Sequence, residues 1–197
     1  RNLEKYFTDT TLKEDVATLS DPKLSADRDR SQVNELVLNT VIKYLALYLN
    51  VAQTNISEMR GEIKKLIDES NESDKKFNPF ISGYTVDNIY GMEPGVDYFP
   101  LVCAGDIKKT SAIFKEIAFN DRFKASDRFR GLDMGSGIGI LILAMAIAAA
   151  RKKVEDIMCV GVEVRERAAK KSALALKSAL DNKVSVIHGD LLSNGLL

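Results

Sequence analysis

Apolar residues in the first third of the chain recur at the spacing of an amphipathic helix. Between about Ser31 and Asn50 they are separated by one, three or four positions: Leu36, Val37, Val41, Ile42, Leu45 and Leu49. Such spacing gathers side chains into one stripe on a helix. A similar stripe follows: Ile56, Met59, Ile63, Leu66 and Ile67. Asn55, with Glu58 three residues later, predicts the start of that second helix.

Polar and turn-forming residues interrupt the middle of the chain. Residues 68–76 are polar throughout and predict a linker or exposed loop. Residues 77–105 hold three of the four prolines and six aromatic side chains, which excludes a long helix. We interpret the aromatics either as anchors of a long connection or as a binding surface. The chain therefore divides into an N-terminal helical region with its linker, residues 1–76, and a second domain, residues 77–197.

Strand and helix patterns alternate in the second domain. After a helix predicted from about Ile107 to Phe119, strands are predicted at 129–134, 157–163 and 184–188, with helices at 138–152 and 165–180. Continuous apolar strands separated by helices are typical of an α/β protein with a doubly wound parallel sheet. Because the chain begins with Arg1 and ends just past the third strand, we expect a fragment whose sheet is truncated.

Composition and charge narrow the function classes. The 28 Lys and Arg residues balance 28 Asp and Glu residues, so the chain lacks the excess positive charge of non-specific nucleic-acid binders. An uncharged run at 134–150 is shorter than the roughly 20 residues of a membrane-spanning helix, and we expect no membrane partner. Cys103 and Cys159 match neither metal-site spacing nor a disulfide framework. They favour a reducing, intracellular location, cytoplasmic or nuclear.

The residues with the clearest binding chemistry lie where the first predicted strand meets its helix. This segment reads LDMGSGIG over residues 132–139. Ligands of open parallel sheets bind in the crevice beyond the strand ends. Glycines allow a tight turn and close ligand approach, and we expect the amide groups at the following helix start to be free donors. The candidate binding residues of this glycine loop are Asp133, Gly135, Ser136, Gly137 and Gly139.

An acidic residue ends each of the three predicted strands. Asp133 ends the first, Glu163 closes the second 24 residues after Gly139, and Asp190 follows the third. A carboxylate at the second strand end commonly accepts both ribose hydroxyls, so the set predicts a nucleoside-type ligand. The G-x-G-x-G spacing weakens a dinucleotide interpretation, and Asp133 would repel a pyrophosphate. S-adenosylmethionine is therefore preferred, with NAD(P) as the alternative.

The ordered segments LDMGSGIG, VGVE and IHGD, within about residues 129–192, resemble the class I (Rossmann-like) S-adenosylmethionine-dependent methyltransferases. The resemblance implies a Rossmann-like doubly wound parallel sheet and a methyl-transfer activity. It also implies that Asp133 and the loop backbone hold the methionyl part and that Glu163 binds the ribose. Asp190 would contact the adenine amino group, with Leu191 beside the ring.

Within this family the segments GSGIG, GVE and GDLL are most similar to the disruptor-of-telomeric-silencing type of protein-lysine methyltransferase. That similarity implies a protein acceptor. Residues 89–93 (IYGME) resemble the Tyr-Gly-Glu segment of that group, which contributes to the cofactor pocket. They depart from it because Met92 is inserted between Gly91 and Glu93 and because the distance to the glycine loop is longer.

The same residues also have a purely structural interpretation. In that interpretation the glycines form only a tight turn, and Glu163 is a solvated strand end paired with Arg165. His188 is interpreted as a structural or adenine-adjacent residue rather than a general base, and Cys159 as a small buried side chain. No catalytic residue is predicted within the chain. The alternative to an enzyme is a non-catalytic cofactor-binding scaffold or regulatory module.

Overall fold

A computed structural model describes residues 3–51, 55–77, 107–120, 127–180 and 183–189. Within these ranges the helices are α1 (Leu3–Leu19), α2 (Arg30–Leu49), α3 (Ile56–Phe77), α4 (Ile107–Ala118), α5 (Ile140–Arg151) and α6 (Glu166–Leu180). The strands are β1 (Arg128–Met134), β2 (Asp156–Glu163) and β3 (Val184–His188). The second half of the chain thus alternates strand and helix, as its apolar pattern predicts.

The three strands form one parallel sheet in the order β1-β2-β3. Its register places Asp133 beside Gly161 and Glu163 beside His188, so the acidic ends of β1 and β2 lie at the same edge. The prediction of an α/β protein with a parallel sheet and an N-terminal helical region is confirmed. Right-handed crossovers between successive neighbouring strands put both connecting helices, α5 and α6, on the same face of the sheet.

The two faces of the sheet differ in exposure because side chains alternate along each strand. Ile157, Cys159 and Gly161 of β2 are buried on the face that α5 covers. On the opposite face four large apolar side chains are each more than half exposed: Leu132, Met134, Met158 and Ile187. The described helices therefore build the core on one side of the sheet only.

Helices α1, α2 and α4 pack on α5 and α6 and extend this core. Helices α1 and α2 contact α6, and α4 contacts both α2 and α5. Leu12, Tyr44 and Phe114 from these helices belong to the same buried cluster as Leu143 and Leu176. The described helices and the sheet therefore share one hydrophobic core, and α2 contacts α6, the helix that follows β2.

Two features of the helical region differ from expectation. Helix α1 was not predicted, although its buried Leu12, Val16 and Leu19 have helical spacing. The prediction of a linker at 68–76 is wrong, because these residues belong to α3. They contain no glycine or proline and several Glu and Lys residues, which propagate a helix well. The predicted start of α3 is confirmed, since the Glu58 N–H donates to Asn55 Oδ1 at 2.9 Å.

The uncharged segment after the glycine loop forms a short buried helix. Helix α5 has 12 residues, and its apolar side chains are covered nearly all round. Among the described residues, no helix is both long enough and apolar enough to cross a membrane. The proline-rich and aromatic residues discussed for 77–105 lie outside the described residues from position 78 onward, and so does Cys103.

Arg151, the last residue of α5, ties this helix to the end of α1. Its guanidinium donates to the carbonyl oxygens of Leu19 at 3.0 Å, Asp21 at 2.8 Å and Leu24 at 2.6 Å. The guanidinium carbon also lies 4.0 Å from the centroid of the Phe119 ring. A planar group with five N–H donors can satisfy several carbonyls together, whereas an ammonium on a flexible stem cannot match this geometry.

We expect Arg151→Lys to lower the free energy of unfolding by about 1 to 3 kcal/mol, because at least one carbonyl loses its donor. Urea denaturation measures the change. Arg130→Lys is the matched control, since Arg130 also makes several hydrogen bonds but pairs with an exposed Asp156. Its loss of stability should be much smaller. Equal effects of the two substitutions would contradict the assigned role of Arg151.

Candidate functional site

The glycine loop, residues 135–139, connects β1 to α5 with an unusual backbone. Gly135, Gly137 and Gly139 have φ angles of 78°, 51° and 77°. These values lie in the left-handed region, which costs other residues energy because of their Cβ atom. The alternation of glycine with Ser136 and Ile138 thus follows from the path of the chain. The predicted tight turn between strand and helix is confirmed.

The end of β2 holds the glycine loop through its backbone amides. The Val162 carbonyl accepts hydrogen bonds from the N–H groups of Gly135, at 2.8 Å, and Ser136, at 3.0 Å. The Gly137 N–H donates to Glu163 Oε2 at 2.9 Å, and the Gly139 N–H donates to the Ser136 carbonyl at 2.7 Å. These four amides already have acceptors within the chain. These loop amides are thus occupied, whereas the prediction of free donors at the helix start concerns the N–H groups from Ile140 onward and stays a prediction.

Glu163 is an internal part of the site and not a solvated strand end. Its side chain is buried, with the residue only 6% exposed. Besides the Gly137 N–H, its carboxylate accepts the Arg165 N–H at Oε1, at 2.9 Å. It thus joins the peptide groups just before α5 and α6, where helix N-termini favour negative charge. A carboxylate has about four acceptor positions, so these two bonds leave capacity for further donors.

Asp133 lies beside Glu163 without comparable support from donors. Burial raises the pKa of the Asp133 carboxyl above its ordinary value, and the charge of Glu163 raises this pKa further. Asp133 Oδ2 is shielded from solvent and has no hydrogen-bond partner among the described residues. The same holds for Ser136 Oγ. Two buried acceptor-capable oxygens therefore lack partners within the site, which is unusual because buried polar atoms normally have one.

Gly161 is a site residue that the sequence analysis missed. It pairs with Asp133 in the sheet, and a Cβ added to it would lie 2.6 Å from Ser136 Oγ and 2.7 Å from Ser136 Cβ. Only a residue without a side chain lets the loop approach β2 this closely. A glycine inside the apolar strand IMCVGVE was an available signal, since glycine in a strand interior often marks close backbone approach.

Tyr44 of α2 reaches the site from the N-terminal region. Its hydroxyl donates to the Ile138 carbonyl at 2.5 Å, and the tyrosine is fully buried. A Cβ added to Gly139 would lie 2.9 Å from the Tyr44 hydroxyl oxygen. The apolar pattern of this helix carries no sign of the contact. It joins residues 94 positions apart, which local periodicity does not reveal.

The remaining candidates occupy different surroundings. His188 Nε2 lies 3.1 Å from the Val164 carbonyl oxygen, a contact that suits the predicted structural role. Burial raises the pKa of the Cys159 thiol to about 11, so at neutral pH the thiol stays protonated and behaves as a small buried side chain. Asp190 and Leu191 lie outside the described residues, as does the IYGME segment at 89–93.

Comparisons of the chain with protein-family models, with curated proteins and with solved structures yield no significant match. The class defined by the fold is an α/β protein with a parallel sheet and a glycine loop at its strand ends. Beyond this class, the chemistry of the site is inferred from its own residues. Asp133, Ser136 and Glu163 contribute side-chain oxygen atoms, and the amides of Gly135, Ser136, Gly137 and Gly139 are occupied.

We expect Gly161→Ala to lower the free energy of unfolding by about 1 to 3 kcal/mol, the usual cost of forcing extra volume into a packed region. Gly61→Ala is the matched control, because Gly61 is exposed in α3 and an added Cβ there meets nothing within 4 Å. That variant should gain about 0.5 to 1 kcal/mol from helix propensity. Urea denaturation of both variants tests whether the close packing around Gly161, and not the loss of a glycine as such, makes a side chain unfavourable at this position.

We expect Asp133→Asn to stabilise the protein at pH 7. The raised pKa means that the folded chain binds this proton more tightly than the unfolded chain does. The resulting contribution to stability is complete below about pH 4, the ordinary aspartate pKa, and is lost as pH rises through the folded-state pKa. Thermal unfolding between pH 4 and pH 7 should show the advantage of the variant growing with pH.

Asp156→Asn is the control of opposite sign for this pH series. The pKa of Asp156 is lowered, chiefly by its hydrogen bond with Arg130. Its carboxylate therefore contributes stability above the ordinary aspartate pKa and loses this contribution as pH falls. The Asp156 variant should be less stable than the parent at pH 7, and the difference should shrink toward acid pH. The same sign for both variants would contradict the assignment.

Proposed function

We propose that the glycine loop and the acidic ends of the strands bind S-adenosylmethionine and that the protein is a methyltransferase. The observation that carries this proposal is the chemical polarity of the site. The loop amides of Gly135, Ser136, Gly137 and Gly139 are used within the chain. Asp133 is partly buried and close enough to the buried Glu163 for the charge of Glu163 to raise the pKa of Asp133. Such a site favours a ligand that is cationic and rich in hydrogen-bond donors.

S-adenosylmethionine has this chemistry at the positions required. Its methionyl ammonium would be held by Asp133, whose Oδ2 lacks a partner among the described residues. Its ribose hydroxyls would donate to Glu163, whose carboxylate retains acceptor capacity. Ser136 Oγ offers one more polar contact near the loop. In the proposed arrangement the loop glycines allow close approach, and Asp190 and Leu191 would contact the adenine, as the family resemblance implies.

The same polarity disfavours NAD(P). A pyrophosphate at a glycine loop is bound by backbone N–H donors at a helix start. The loop amides of Gly135, Ser136, Gly137 and Gly139 are occupied, and Asp133 with Glu163 would add two negative charges near the phosphates. Repulsion between such charges is strong in a partly dehydrated site.

In the proposed reaction the chain binds and orients the methyl donor. When bound, S-adenosylmethionine supplies an activated methyl group for in-line transfer to a nucleophile. Asp133 and Glu163 would fix the donor by its methionyl and ribose parts, which is the part of catalysis that comes from alignment. The resemblance favours a protein lysine as acceptor, in a reducing intracellular compartment, cytoplasmic or nuclear. No described residue is assigned as a catalytic acid or base.

Isothermal calorimetry on the full chain tests the proposal. We expect S-adenosylmethionine and S-adenosylhomocysteine to bind and NAD to give no signal at the same concentration. Asp133→Asn and Glu163→Gln should each weaken binding about 10- to 100-fold, which corresponds to the roughly 1.5 to 3 kcal/mol of a hydrogen bond to a charged group. Asp156→Asn, at the opposite end of β2, should change the affinity less than twofold.

Two outcomes would overturn the assignment of the ligand. One is NAD binding in preference to S-adenosylmethionine. The other is parent-like affinity in both the Asp133 and Glu163 variants, which would place the ligand elsewhere. Asp133→Asn offers a sharp internal check, because it should stabilise the protein alone yet weaken ligand binding. A general folding defect would move the two measurements in the same direction. A methyl-transfer assay then separates an enzyme from a non-catalytic cofactor-binding module.

A further inference from the structure

Through Tyr44 the N-terminal region contacts the backbone of the candidate site. Tyr44 lies on α2 and donates its hydroxyl proton to the Ile138 carbonyl. Ile138 lies between Gly137, whose N–H contacts Glu163, and Gly139, the residue that precedes α5. The bonded carbonyl therefore belongs to the peptide group that ends the loop.

The surroundings of this hydrogen bond leave it little freedom. Burial raises the pKa of Tyr44 well above its ordinary value, and neighbouring Tyr48 raises it further, so the hydroxyl remains a proton donor at physiological pH. A Cβ on Gly139 would meet Tyr44 together with Leu176 and Ser172 of α6, at 2.9 to 3.2 Å. The end of the loop is thus packed between α2 and α6.

We propose that Tyr44 is a positioning residue of the glycine loop, acting through the Ile138 carbonyl. Holding this carbonyl restricts rotation of the peptide between Ile138 and Gly139, and Gly139 has a positive φ of 77°. The restriction extends to the preceding peptide groups, where Gly137 N–H contacts Glu163 and Ser136 packs on Gly161. The N-terminal helical region is then a structural part of the cofactor site. The effect on ligand binding rests on the proposed function.

Tyr44→Phe removes the hydroxyl and keeps the ring. We expect amide hydrogen exchange, followed by NMR, to become about tenfold faster or more at Gly137 and Gly139, with the exchange of β2 amides nearly unchanged. Calorimetry should show S-adenosylmethionine affinity about tenfold weaker. Tyr48→Phe is the matched control, because Tyr48 lies one turn further along α2 and is also buried, only 1% exposed. In this variant the amide exchange rates of Gly137 and Gly139 and the affinity for S-adenosylmethionine should stay within twofold of the parent values.

Hydrogen exchange tests the positioning role of Tyr44, and calorimetry tests the proposed ligand, so one proposal can fail without the other. Unchanged exchange at Gly137 and Gly139 in Tyr44→Phe would overturn the positioning role, whatever the affinity does. Equal effects of the Tyr44 and Tyr48 substitutions would also overturn it, because they would show a general loosening of the core. If the parent does not bind S-adenosylmethionine, the proposed function fails, and the exchange data still decide whether Tyr44 holds the loop.

A measurement on the parent alone covers the case in which Tyr44→Phe does not fold. Native-state hydrogen exchange, measured at increasing urea concentrations, shows which amides become exposed in the same local unfolding reaction. We expect Gly137 and Gly139 to exchange in the same opening as the α2 amides around Tyr44. Exchange of these loop amides through an independent opening at lower free energy, with α2 still protected, would overturn the proposal.

Discussion

The candidate site depends on the hydrogen bonds between the end of β2 and the amides of the glycine loop. The Val162 carbonyl accepts two of them, and the Glu163 carboxylate accepts a third. These bonds satisfy donors that a loop in left-handed conformations would otherwise leave unpaired in a half-buried place. They also require close contact between loop and strand, which the absence of a side chain at Gly161 permits. Without the hydrogen bonds to the end of β2, the loop amides would lose the acceptors that fix the loop conformation.

This solution has an electrostatic consequence for the neighbouring residue. Glu163 is tolerated in a buried position because it accepts N–H groups at the starts of two helices. Asp133 is close enough for the Glu163 charge to raise its pKa, and it lacks equivalent donors. The same arrangement that stabilises the loop therefore leaves a second carboxylate poorly compensated. A cationic ligand would relieve this strain, whereas an anionic ligand would increase it.

The helical layer and the site are parts of one packed structure. Tyr44, Phe114 and Leu143 belong to a single buried cluster, and Tyr44 also bonds the backbone of the loop. Side chains packed at crystal-like density transmit small displacements to their neighbours. Changes in the N-terminal helices should consequently reach the strand ends through α2. The domain boundary between residues 76 and 77 was placed where the residue composition changes, and it stays a prediction.

Much of the fold could be predicted because its signals are local. Strand β3 has the predicted bounds and the described helices of the second half agree within about two residues, since apolar periodicity depends only on neighbouring positions. Polarity alone does not identify the structure of residues 68–76, which form part of α3 and include several Glu and Lys residues of high helix propensity. Of the candidate site, the glycine loop, Asp133 and Glu163 were predicted from their spacing along the chain. Gly161 was not weighed, although a glycine inside a strand was visible.

The sequence by itself determined the order of strands and helices and the acidic residues at the ends of β1 and β2. Tertiary structure alone decided which loop amides are occupied, which carboxylate is supported and which distant tyrosine holds the loop. The physical reason is that hydrogen bonds and charge effects depend on distances in space, and Tyr44 and Ile138 are 94 positions apart in the chain. A local pattern selects the elements, and their packing determines the polarity of the site.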